Sequence, residues 1–202
     1  KERTAFLNSG IKKLNQVTGK IAPFISSQKI FSIDTTNSLG KVPARIRSLL
    51  EDTDGNLWIG TFSGLFKYSY HTKKVEAFGN NLRKNPISAG KLIEDSKKNI
   101  WMISRQGIVK FNQSTKKFTN FVFDRKNPES ISHNQVFQIH MDKNNQFWLA
   151  TPRGLNHFIP ETGKVKKVYT TNDGLSNNNI YGILEDDENN LWLPTNYGLN
   201  KF

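Results

Sequence analysis

Short apolar runs of four to six residues recur along this chain, cut by polar turns rich in Gly, Asn and Asp. Ile46-Arg47-Ser48-Leu49-Leu50 runs into an acidic turn, Glu51 to Asn56, and Leu57-Trp58-Ile59-Gly60-Thr61 follows, closed by Ser63-Gly64. Leu65 to Tyr68 and Val75 to Phe78 complete the set, separated by the turn Thr72-Lys73-Lys74. Runs this short, rich in β-branched and aromatic residues, predict strands joined by hairpin turns. No stretch sustains a 3.6-residue apolar period, so helix is expected to be nearly absent.

The set repeats. Trp58, Trp101, Trp148 and Trp192 stand 43, 47 and 44 residues apart. Six residues after each comes a glycine (Gly64, Gly107, Gly154, Gly198), and six before each an aspartate (Asp52, Asp95, Asp142, Asp186). Ten residues after each comes an aromatic: Tyr68, Phe111, Phe158 and Phe202. A partial copy opens the chain, with Gly10 and Leu14 at the glycine and aromatic positions, followed by Thr18-Gly19-Lys20-Ile21. That Thr-x-Lys-apolar signature returns at Thr72, Thr115 and Thr162.

A period of 40–50 residues with four short strands per copy predicts an all-β chain of four-stranded antiparallel β-propeller blades. The expected divisions of a partial propeller over 1–202 are the end of a first blade at 1–25, blades at 45–79, 90–123 and 136–170, and an incomplete last blade at 180–202. One four-stranded sheet cannot bury both of its faces, whereas sheets stacked about an axis can. The tryptophans are therefore read as core between blades, each contributing at most about 4–6 kcal/mol at ~25 cal/mol per Å² of buried surface. The repeat glycine is expected to supply a positive φ in the turn after the second strand, and the repeat aspartate to accept hydrogen bonds from turn amides.

Composition narrows the function classes. The chain has 202 residues, 36% of them hydrophobic, without a run of the ~18 apolar residues that a membrane span needs. Lys1 to Gly10 lack the features of a secretory signal, so contact with a membrane is expected only through segments outside this sequence. With no cysteine, disulfides, thiolate metal sites and cysteine nucleophiles are excluded. Lys+Arg 29 against Asp+Glu 17 gives +12, which fits either an anionic partner or a Lys-rich surface that keeps the domain soluble. No block of five or six like charges marks a nucleic-acid arm, and nucleic acid is not an expected partner.

The stretch Glu51-Asp52-Thr53-Asp54-Gly55-Asn56-Leu57-Trp58-Ile59-Gly60-Thr61-Phe62-Ser63-Gly64-Leu65 resembles the two-component regulator propeller repeat, and Glu185 to Leu199 resembles it nearly as well. Such repeats typify the periplasmic sensor of hybrid two-component receptors. The resemblance implies seven-bladed propellers, a β-sandwich, a membrane span and a histidine kinase in the whole receptor, with oligosaccharide sensing and a homodimeric signalling state. Four to five blades on this period cannot close a seven-bladed ring, so the chain is read as part of a propeller whose remaining blades are its neighbours. Closure into four or five blades is the alternative. A structural scaffold without a ligand of its own, or a polyanion- or nucleic-acid-binding propeller, are the competing functions.

Candidate ligand residues come from topology. The turn after the second strand should lie beside the connection from the fourth strand to the next blade, on one loop face. Arg105 and Arg153 are read as occupying equivalent positions in adjacent blades and are expected side by side at its rim; Arg83 and Arg125 fall in its connections. Phe62 and Tyr197 are aromatics out of repeat register on the same face. Ten of the seventeen acidic residues lie in the first-to-second-strand turns opposite, so the arginine face could hold a carboxylate or sulfate through paired guanidinium bonds. Asp52-Thr53-Asp54-Gly55-Asn56 lacks the glutamate of a calcium loop, and its counterpart Asp95-Ser96-Lys97-Lys98-Asn99 would repel a cation. His71, His133, His140 and His157 have no zinc spacing, and no nucleophile elbow or phosphate loop occurs. The chain is expected to need no metal or cofactor and to be no enzyme.

Overall fold

Each Trp strand carries apolar residues on both faces, so it must be covered on both sides, and this sets the architecture. The computed structural model describes residues 11–14, 21–25, 46–61, 64–78 and 89–202. Three four-stranded antiparallel sheets follow one another: β3 (Ile46–Glu51), β4 (Leu57–Thr61), β5 (Leu65–Tyr68) and β6 (Val75–Phe78); then β7 (Leu92–Glu94), β8 (Ile100–Ile103), β9 (Ile108–Asn112) and β10 (Lys117–Phe121); then β11 (Gln138–Met141), β12 (Phe147–Thr151), β13 (Gly154–Ile159) and β14 (Lys164–Tyr169). A three-stranded sheet of β15 (Leu184–Glu185), β16 (Leu191–Thr195) and β17 (Gly198–Lys201) ends the chain, and β1 (Ile11–Leu14) pairs with β2 (Ile21–Ile25) near its start. Each strand pairs with its neighbours in sequence, the up-and-down order of a propeller blade. A 3-10 turn at Thr171–Asp173 is the helical content among the described residues.

The core sits between sheets. Because side chains alternate along a strand, Trp101 and its neighbours Ile100 and Met102 point to opposite sides. Ile100 and Met102 join Trp58 and Leu65 of the preceding sheet, while Trp101 joins Phe147, Leu149 and Phe158 of the following one. Strand β12 repeats this, with Phe147 and Leu149 facing backward and Trp148 and Ala150 forward against Leu191 and Leu193. Strands β8 and β12 thus each weld two interfaces.

Trp58, Trp101 and Trp148 are buried as expected, but Trp192 is half-buried. Its neighbours Leu191 and Leu193 are covered by the third blade, whereas no sheet of the described residues lies on the Trp192 side.

The repeat glycines do have positive φ, at +77° in Gly107 and +112° in Gly154, and a second cause appears. A Cβ at either would collide with a carbonyl oxygen closing the same blade, Phe121 or Tyr169. The repeat aspartates accept turn amides, as with Asn99 N–H to Asp95 Oδ1 at 2.8 Å, and their second oxygen takes the indole N–H six residues on. That indole bond spans 2.7–2.8 Å in all four copies. It removes the cost of burying an indole donor and locks the turn to the strand it precedes.

Candidate functional site

The loop face is built by contacts between each second-to-third-strand turn and the connection that follows its blade. Gly107 N–H donates to the Asn134 carbonyl at 2.6 Å, and Gly154 N–H to the Asn178 carbonyl at 2.7 Å. The same two asparagines hold the connections by their side chains, accepting from Phe123 N–H and Thr171 N–H at 2.7 Å each. Beneath them Ser132, Thr151 and Asn156 form a hydrogen-bonded cluster, repeated one blade later by Ser176, Thr195 and Asn200. These clusters fix the height of the loops above the sheets.

Arg105, Arg125 and Arg153 are all exposed on this face. Arg153 lays its guanidinium over the Phe123 ring at 5.3 Å, a contact with the connection. Arg105 and Arg153 occupy corresponding turns but stand one position apart, Arg105 two residues before its glycine and Arg153 one before. Tyr197 is 77% exposed at the tip of its turn. Phe62 and Arg83 lie outside the described residues.

On the opposite face the acid is largely spent on structure. The aspartates hold turns and indoles, Thr53 N–H donates to Glu94 Oε2 at 2.7 Å across a blade boundary, and Lys98 pairs with Asp54 across the same boundary. Glu185 takes His140 Nε2 at 3.0 Å from the preceding blade. Among these carboxylates, Asp186 is held at a pKa of about 2, chiefly by the Asn190 side chain, with the Trp192 indole and backbone N–H groups adding to it. Burial works to raise Asp52, but hydrogen bonds from Asn56 and Trp58 outweigh it and the net shift is downward. No cluster of three or more His, Asp or Glu among the described residues could hold a metal ion.

Two features escaped the sequence reading. Nine residues after each Trp stands a basic or imidazole side chain over its indole. Lys67, Lys110 and Lys201 place Nζ 5.1, 5.5 and 5.6 Å from the ring centres, and His157 stacks on Trp148 at 4.5 Å and 16°. The spacing was available as a signal. The second is an aromatic pair across a blade boundary, Phe137 and Tyr181, with ring centres 5.5 Å apart. Tyr181 is 49% exposed, and its hydroxyl accepts from Asn179 Nδ2 at 2.9 Å and donates to Asn196 Oδ1 at 2.7 Å.

The repeat landmarks and this geometry agree with one family. Residues 40–63 and 174–196 match the model described as two component regulator propeller. Those two segments carry the two-component regulator propeller repeat.

Solved structures carry the same fold. The extracellular domain assigned to a hybrid two component system from B. thetaiotaomicron superposes with a TM-score of 0.67 at 22% identity, over 96% of this chain and 25% of that one. A second such domain from that organism gives 0.61 at 18% identity, over 78% of this chain and 24% of the other. Virginiamycin B lyase from Staphylococcus aureus gives 0.62 at 15% identity, over 95% and 61%. At these identities the likeness is one of fold. The chain spans about a quarter of the length of the two receptor domains. No curated protein matches this sequence.

Proposed function

We propose that this chain is a section of the extracytoplasmic, ligand-sensing propeller of a hybrid two-component receptor, and that its ligand is an oligosaccharide. The observation that carries the reading is the division of labour within each propeller repeat. Trp, Gly, Asp and the facing aromatic are fixed from copy to copy and consumed by packing. The loop-face tips differ in every described copy: Arg105-Gln106, Pro152-Arg153 and Asn196-Tyr197. A scaffold held identical beneath tips that vary is the design of a recognition surface.

In this reading Arg105, Arg125 and Arg153 receive any anionic group that the saccharide carries, and the chain binds its ligand without transforming it. Further blades flank this section in a receptor that signals as a homodimer from the periplasmic side of the inner membrane. No helix among the described residues is long and apolar enough to cross a membrane.

Isothermal titration of the chain against neutral and anionic oligosaccharides, with the products sized afterwards, tests the proposal. Saturable binding of one saccharide class with its chain length unchanged is expected. Absence of binding across both classes, or shortening of the saccharide, overturns it.

A further inference from the structure

We propose that Tyr181 is the stacking platform of a subsite for an uncharged sugar unit on the loop face; this deepens the sensor reading and rests on it. Three backbone bonds place Gly90, Phe137 and Tyr181 at one position of successive blades. Their N–H groups donate to the carbonyls of Ile103, Ala150 and Pro194 at 2.8, 2.9 and 3.0 Å. A position that takes glycine in one blade and tyrosine in another does not need an aromatic for the fold.

The phenol is fixed at both ends. Its ring rests against Phe137, which itself packs on the core between the third and fourth sheets, and its hydroxyl is held between Asn179 and Asn196. A side chain already ordered loses little rotamer entropy when a ligand arrives, so more of the contact energy becomes affinity. Tyr197, next in sequence to Asn196, is the most exposed large apolar side chain among the described residues.

Two observations point to the ligand's chemistry. Asn179 Oδ1 is a buried acceptor with no hydrogen-bond donor, an unoffset desolvation that a small turn of the side chain would open to a ligand hydroxyl. No charged residue occurs from Gly174 to Leu184 or from Asn189 to Asn200, in a chain that is 23% charged. An aromatic face ringed by amides matches a pyranose, which has an apolar C–H face and a rim of hydroxyls. A stacked nucleobase would bring phosphate, and these segments offer it no cation.

The test titrates the chain with neutral hexasaccharides (β-glucan, β-mannan, β-xylan and α-glucan) and with a sulfated and a uronate hexasaccharide. It compares the unmodified protein with Tyr181→Ala, Tyr181→Phe, Tyr197→Ala and the double variant Arg105→Ala/Arg153→Ala. One neutral hexasaccharide is expected to bind, about tenfold or more weaker in Tyr181→Ala and about two- to fivefold weaker in Tyr181→Phe, which keeps the ring but frees it from the asparagines. Should Tyr181→Ala lower the thermal midpoint, Tyr181→Phe and the exposed Tyr197→Ala carry the reading, each expected to weaken binding. Unchanged affinity in the Tyr181 variants overturns the subsite. Binding of charged hexasaccharides alone, lost in the arginine variant, also overturns it and leaves the sensor reading standing. No binding of either class overturns both.

Discussion

Trp101 meets Phe158 edge to face across a blade boundary, ring centres 5.6 Å apart and planes at 78°. Phe158 is the aromatic ten residues after the Trp of the next blade, and the relation recurs. Trp58 meets Phe111 at 5.8 Å and 62°, and Trp148 meets Phe202 at 5.4 Å and 69°. Each indole also touches an aromatic at the end of its own blade's fourth strand: Phe78, Phe121 or Tyr169. The repeat is thus a single interface motif, in which one sheet supplies the Trp and the next supplies the ring that covers it.

The cost of removing a Trp should therefore depend on whether its covering ring is present. Trp101→Ala opens a cavity in a fully buried cluster and is expected to cost about 3–5 kcal/mol. Trp192→Ala removes the same indole bond to aspartate but from a half-buried ring without a facing sheet among the described residues, and should cost clearly less. Urea denaturation of both variants checks the ranking; equal costs would mean that the interfacial packing is not what the indoles contribute.

A parallel contrast exists among the glycines. Gly154 and Gly198 have almost the same φ, +112° and +115°, so alanine is equally strained at both. At Gly154 a Cβ also strikes the Tyr169 carbonyl oxygen, whereas at Gly198 nothing lies within 4 Å. Thermal melts should show Gly154→Ala lowering the midpoint well beyond Gly198→Ala, the difference measuring closure of the blade by its fourth strand.

The fold was legible because the landmarks of this chain are consequences of local chemistry repeated at a fixed period. Trp58 to Gly64 and Asp52 to Trp58 are each six residues, within reach of one turn and one strand, so pattern alone located them. The cations over the indoles were legible too, since Lys67, Lys110, His157 and Lys201 share a register, but three lysines in a chain with 29 basic residues carry little weight unless the ring beneath is known. The loop face is different. Tyr181 stands at a repeat position whose residue type is not kept, and its partners Phe137 and Asn196 are 44 and 15 residues distant, so only the folded chain brings them together. Arg105 and Arg153, read from sequence as equivalent, stand one position apart relative to the glycines of their turns.

Acid should weaken the turns before the sheets. Asp186 has a folded pKa of about 2 against an ordinary 3.8, so the unfolded chain takes up its proton first as pH falls. Its stabilising contribution is complete above about pH 3.8 and is lost as pH falls through the folded value. Asp52 shifts in the same direction. Asp186→Asn should lower stability at neutral pH and flatten the decline between pH 4 and 2, followed by thermal unfolding across that range. A variant declining as steeply as the parent would remove Asp186 as a source of the acid sensitivity.

Histidine at position 157 makes the third blade the one whose indole cover can titrate near neutrality. Burial lowers its pKa below 6.5, and the nearby Lys166 adds to this, while Asp142 works against it. Its Nε2 is 2.9 Å from Gln146 Oε1, and its ring lies flat on Trp148. With the folded pKa depressed, the unfolded chain binds the proton more readily. The contribution of His157 is therefore complete above about pH 6.5 and shrinks as pH falls below it. Lysine holds this position in the other three Trp repeats, with Nζ 5.1–5.6 Å from the ring centre. His157→Lys should consequently fold with stability within about 1 kcal/mol of the parent at pH 7.5, the scale of an exposed cation–π contact. It should also lose the slope between pH 6.5 and 5. Stability curves that keep that slope in the lysine variant would remove His157 as its source.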